Sequence, residues 1–82
     1  MKRDVTIHTS TNMEATPIAQ LVQLANKFTS RVYFVVNARK VNGKSIMGMM
    51  STVFEQGETV TIDVEGEDEE KAVAALEHFL TA

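Results

Sequence analysis

Thr59-Val60-Thr61-Ile62-Asp63-Val64-Glu65 alternates apolar and polar residues without a break, and Gly66-Glu67-Asp68-Glu69-Glu70 follows at once. The first stretch has the period of a strand with one buried face. Gly66 breaks it. Carboxylates then crowd a helix start, where they meet the positive end of the helix dipole. Ala72, Val73, Leu76, Phe79 and Leu80 line one face of the helix that runs to the end of the chain. A strand that buries one face, followed by a helix that buries one stripe, is half of a two-layer fold.

Working backwards gives the other half. Arg31 to Val36 is rich in β-branched and aromatic residues and reads as a strand. Asn37-Ala38-Arg39 turns the chain, and Lys40 to Asn42 returns it as a short strand. Asn42-Gly43 is a turn signal. Ser45 opens a second helix, expected to run to about Phe54, and Gly57 closes that region. Near the start, Val5 and Ile7 alternate with Asp4, Thr6 and His8. Pro17 stands where a helix can begin, with Thr16 before it as a candidate N-cap. Ile18, Leu21, Val22, Ala25 and Phe28 follow at helical spacing. The order is β-α-β-β-α-β-α. Strands with one polar face predict a sheet covered on one side: an α+β, open-faced two-layer sandwich, with a four-stranded, mainly antiparallel sheet and three helices. The chain reads as a single domain over residues 1–82, with no internal repeat, linker or low-complexity tract.

Composition narrows the function. At 82 residues the core is modest, which suits a binding or carrier module better than an enzyme with a deep cleft. A net charge of −3 argues against a general nucleic-acid binder. The absence of cysteine removes thiol catalysis and zinc clusters, and fits a reducing compartment. No apolar run follows Met1-Lys2-Arg3-Asp4 and none approaches the roughly 20 residues of a membrane span, so neither a signal peptide nor a membrane role is expected. The expectation is a cytoplasmic protein.

Two segments carry a family resemblance. Gly43-Lys44-Ser45-Ile46-Met47-Gly48-Met49-Met50-Ser51 resembles the regulatory-serine segment of HPr, the phosphocarrier of the sugar phosphotransferase system. Asn12-Met13-Glu14-Ala15-Thr16-Pro17 falls where that family has its active-site motif, Gly-[Ile/Leu]-His-Ala-Arg-Pro. Leu21 to Phe28 and Val64-Glu65-Gly66-Glu67-Asp68-Glu69 also look like HPr of Gram-positive bacteria. By this resemblance Glu14 occupies the place of the phosphorylated histidine, and Thr16 that of the phosphate-binding arginine. The family has a branch of this kind, the catabolite-repression HPr-like proteins of bacilli. That branch lacks the histidine, usually having glutamine there, and keeps the serine. This chain differs from it in having Glu14 and in lacking the arginine.

The resemblance implies a regulatory protein without catalytic residues, metal or cofactor. Its expected partners are an HPr kinase/phosphorylase that modifies Ser45 and a catabolite-control transcriptional regulator that binds the product. The position of Thr16 bears on that regulator, because the family's arginine contributes to its binding. A carrier using Glu14 or another acceptor, and a degenerate or altered HPr variant, stand as alternatives.

Each residue also has a plain structural reading. Glu14 is either a lost carrier site, imitating phosphohistidine or not, or a solvated carboxylate favoured by a helix dipole. Ser45 before an apolar helix is an N-cap, a role compatible with phosphorylation, because phosphate at a helix start meets free N–H groups. Lys40 and Lys44 are expected near enough to soften the phosphate's charge. Ile46, Met47, Met49, Met50, Val53 and Phe54 spread over an arc wider than the roughly 100° that one buried face requires. The resemblance points to Ile46, Met47 and Met50 as the outward, partner-binding ones; the alternative is a core helix with an apolar flank. His8 and His78 are isolated and read as surface residues, and the acidic run as a solvated helix start.

Overall fold

A computed structural model describes residues 1–8, 15–52, 54–55 and 57–81, with the side chains of 15–17 outside the described set. The elements are β1 (Lys2–Thr6), α1 (Ala15–Asn26), β2 (Arg31–Val36), β3 (Arg39–Asn42), α2 (Ile46–Met50), β4 (Thr59–Glu65) and α3 (Glu69–Thr81). The strands form one sheet in the order β1-β4-β2-β3, and every neighbouring pair is antiparallel. The α+β sandwich expected from the patterning is the fold observed.

Alternation decides which face is covered. Val5, Val32, Phe34, Val36, Val41, Val60, Ile62 and Val64 point to one side and are buried. They meet Ile18, Leu21, Val22 and Ala25 of α1, Met49 of α2, and Ala72, Val73, Leu76 and Leu80 of α3 in one core. The opposite side carries Tyr33 and Asp63 as direct cross-strand partners. Lys40 from β3 reaches over it, 4.6 Å from the centre of the Tyr33 ring and 3.7 Å from Asp63 Oδ2.

Three elements differ from the sequence reading. The first helix starts at Ala15, so Thr16 and Pro17 lie inside its first turn. The third strand takes in Arg39 as well as Lys40 to Asn42. The second helix stops at Met50 and is capped by Ser51, well short of Phe54. Phe54 is nonetheless buried, packed edge-on against Phe34 at 6.1 Å between ring centres. Its apolar character serves the core from a non-helical backbone.

The β2–β3 connection holds Asn37 at φ 51° and Ala38 at φ 65°. Two consecutive positive φ angles suit the right-handed twist of a tight hairpin, and Asn tolerates them far better than Ala. Ala38→Gly removes the Cβ conflict at an exposed position. It is expected to raise stability by about 1 kcal/mol, read from the urea unfolding midpoint. A lower midpoint overturns this account of the turn.

Asp68 fastens the opposite end of the sandwich. Its carboxylate accepts from the backbone N–H of Thr29 at 2.9 Å, from that of Ser30 at 3.0 Å, and from the Ser30 hydroxyl. The Ser30 hydroxyl first, and then the Thr29 N–H, hold its pKa down at about 2 from the ordinary 3.8. A depressed carboxylate pKa contributes stability above the unfolded value, and that contribution disappears as pH falls through the folded value. Acid titration of the unfolding midpoint should therefore show a loss between about pH 4 and pH 2 that Asp68→Asn lacks. Parallel curves for both proteins overturn the assignment.

Candidate functional site

Gly43 sets the seat on which the serine segment rests. A Cβ there would lie 2.6 Å from Phe34 Cε2 and 2.7 Å from Val32 Cγ1, so glycine lets the backbone lie directly on the core. Its N–H donates to Val32 O at 2.8 Å. The chain then turns. Asn42 Oδ1 accepts from the Lys44 N–H at 2.9 Å, and Asn42 O accepts from the Ser45 N–H at 3.1 Å.

Ser45 is the N-cap of α2, in extended conformation with φ −97° and ψ 112°. Its Oγ accepts from the Gly48 N–H at 3.3 Å, and its carbonyl accepts from the Met49 N–H at 3.0 Å. A cap uses the lone pairs of the hydroxyl and leaves its proton uncommitted. The neighbouring hydroxyls differ. Ser51 Oγ donates to Gly48 O at 2.8 Å, and Thr52 Oγ1 donates to the same carbonyl at 3.0 Å. Among these three, Ser45 alone, a half-buried residue, has a hydroxyl that accepts from the backbone where the other two donate to it.

The outer side of α2 is apolar. Ile46 is 45%, Met47 83% and Met50 47% exposed, while Met49 points into the core and is fully buried. Three large apolar side chains therefore border Ser45 on the surface. Met47→Asp is expected to leave the unfolding midpoint within about 0.5 kcal/mol of wild type, the ordinary range for a surface substitution. A loss of several kcal/mol would mean that the side chain packs inward.

The lysines expected to soften a charge at Ser45 are engaged elsewhere. Lys44 Nζ donates to Phe28 O at 2.6 Å, beyond the carboxyl end of α1. Lys40 faces Tyr33 and Asp63 on the open side of the sheet. Glu14 lies outside the described residues. Thr16 is placed by its backbone in the first turn of α1, which packs beside α2, and its side chain lies outside the described set. His8 and His78 are exposed. Among the described residues no group of three or more His, Asp or Glu side chains could hold a metal ion. Among them also, no helix is long and apolar enough to cross a membrane.

Asn26 was not legible in advance as part of this site. Its Nδ2 donates both to Val22 O at 2.9 Å and to Lys44 O at 3.3 Å, joining the end of α1 to the serine segment.

Comparison with known proteins agrees with this fold. The chain is 41% identical over 80 residues to the HPr-like protein Crh of Halalkalibacterium halodurans, covering 98% of this chain and 95% of that one. It is 42% identical over 76 residues to the phosphocarrier protein HPr of Cupriavidus necator, covering 93% and 85% respectively. The crystal structure of a phosphocarrier protein HPr from Bacillus anthracis superposes with a TM-score of 0.91 at 35% identity, covering 98% of this chain and 95% of that one. The family described as "PTS HPr component phosphorylation site" matches residues 1–82. Its members carry phosphate or regulate and are not catalytic enzymes, and this chain, by sequence and by fold, belongs to the HPr family.

Proposed function

We propose that this chain is a single-domain, cytoplasmic regulatory protein of the catabolite-repression type. In this reading an HPr kinase/phosphorylase phosphorylates Ser45, and a catabolite-control transcriptional regulator binds the phosphorylated form. The observation that carries it is the pairing of an uncommitted hydroxyl at Ser45 with the exposed Ile46, Met47 and Met50. A modifying enzyme needs a nucleophile it can deprotonate and an adjacent surface to hold. Methionine supplies a flexible, polarisable surface that suits more than one partner in turn.

Phosphate on Ser45 takes the place of a cap oxygen and requires no unfolding of α2. It adds about −1.5 to −2 of charge to the surface. With Lys44 given to the α1 end and Lys40 to the open sheet face, that charge is left for the partner's cations to meet.

The second reading is a phosphocarrier, favoured by the equal likeness to the Cupriavidus protein. Glu14 weighs against it. A carboxylate offers no imidazole nitrogen to form the readily transferred phosphoramidate that the family's carriers use.

The test is incubation with ATP and an HPr kinase, followed by fragmentation mass spectrometry. One phosphate on Ser45 is expected. Phosphate on Ser51 or Thr52 instead, or none, overturns the proposal.

A further inference from the structure

We propose that Lys44 and Asn26 are positioning residues, which clamp the Ser45 segment to the carboxyl end of α1 and so fix the direction in which the serine hydroxyl meets its kinase. The inference rests on Ser45 being the modified residue.

The clamp holds one residue at three points. The Lys44 N–H is bound by Asn42 Oδ1 at 2.9 Å, its carbonyl by Asn26 Nδ2 at 3.3 Å, and its ammonium by Phe28 O at 2.6 Å. Asn26 is itself anchored, because its second amide proton goes to Val22 O at 2.9 Å within α1. Phe28 leads directly into Thr29 and Ser30, which the Asp68 carboxylate holds from the far side. A chain of bonds thus runs from the start of α3, through the α1–β2 turn, to the residue before Ser45. Helix α2 could not supply this rigidity alone. It has five residues, and isolated helices of that length do not persist in water.

Direction matters because of the reaction. In phosphoryl transfer a kinase base takes the Ser45 hydroxyl proton. The oxygen then bonds to the γ-phosphorus of the nucleoside triphosphate as the bond from that phosphorus to the β–γ bridging oxygen breaks, and the diphosphate leaves. The attacking and leaving oxygens must lie roughly in line. Misplacement by about 1 Å can lower such a rate by about a hundredfold. Met47 and Met50 are exposed on the outer side of α2, while the Lys44 ammonium is bound to Phe28 O. The clamp should therefore govern turnover more than docking.

The experiment compares wild type with Lys44→Met and Asn26→Ala, the second of which changes no charge. Amide hydrogen exchange at Ser45, Gly48 and Met49 is read by NMR without any kinase, and phosphorylation kinetics are read with kinase and ATP. In both variants, exchange at these amides is expected to rise by about tenfold while the central sheet stays protected. For phosphorylation, kcat is expected to fall by about ten- to a hundredfold, with KM for the protein within about twofold of wild type. Unchanged exchange in both variants overturns the clamp. Faster exchange with unchanged kcat, or a rise in KM alone, overturns the positioning role and leaves Ser45 as the phosphorylated residue. Wild type that takes no phosphate on Ser45 overturns the functional reading, and the positioning role with it, while the exchange data still judge the clamp. A loss of kcat in Lys44→Met but not in Asn26→Ala assigns the effect to charge and also overturns the proposal.

Discussion

Ser45→Ala is expected to take up no phosphate under conditions in which wild type takes one. Ser51 and Thr52 lie within seven residues of it in the chain, and both keep their hydroxyls in this variant. Both donate to the Gly48 carbonyl, so phosphorylating either one requires breaking that bond first. The methyl group of alanine also withdraws the acceptor from the Gly48 N–H. Loss of a serine N-cap costs roughly 0.5–2 kcal/mol, and water reaching this half-exposed position keeps the cost towards the lower end. The variant should therefore stay folded at ordinary temperature, and its failure to be labelled should not reflect unfolding. Intact-protein mass spectrometry measures the first effect and urea unfolding the second. Full labelling of Ser45→Ala at another residue would remove Ser45 from the centre of this reading.

Much of the fold was legible because each strand buries one face. Arg31–Val36 and Thr59–Glu65 were read with the bounds they have in the structure, the first from its β-branched and aromatic residues and the second from alternation, and neither signal needs information from elsewhere in the chain. The second helix was read too long because Phe54 continues the apolar run after Met49 and Met50. A side chain bound for the core looks the same whether a helix or a loop delivers it. Here the Ser51 and Thr52 hydroxyls turn back onto Gly48 O as the helix ends, and Phe54 enters the core beside Phe34 without helical backbone.

The site was legible in part and for a different reason. Ser45 and its outward Ile46, Met47 and Met50 came from a family resemblance, with helical geometry requiring only that some of the apolar residues be exposed. Lys44 was read as a charge beside a serine. Its actual partner is a carbonyl 16 residues earlier, and no local period encodes that contact. Asp68 was read as a helix-start carboxylate, but it also binds backbone groups 38 and 39 residues earlier. Long-range bonds from polar side chains to backbone follow from the finished fold and leave no mark on the hydrophobic pattern. Pairing such a residue with its partner requires the topology first.

The carrier site gives the other large expected effect. Phosphoenolpyruvate and the first enzyme of the phosphotransferase system are expected to leave the wild-type protein unlabelled, because Glu14 offers no imidazole. Glu14→His supplies a nucleophilic nitrogen one residue before Ala15 in the sequence, where α1 begins. In the proposed reading Thr16 stands where the family's carriers have arginine, so phosphate bound there still lacks a guanidinium. Arginine presents several donors in a fixed planar fork that matches phosphate oxygens, and a threonine hydroxyl cannot reproduce that fork. A hydrogen bond to a charged group contributes roughly 1.5–3 kcal/mol. If that interaction is realised in the transition state, its absence slows transfer by about ten- to a hundredfold. The double variant Glu14→His, Thr16→Arg should therefore gain acid-labile phosphate about ten- to a hundredfold faster than Glu14→His alone. Time courses of labelling for the three proteins make the measurement. Equal rates for the single and double variants would mean that residue 16 does not meet the phosphate. Labelling of wild type on Glu14 itself would restore the phosphocarrier reading.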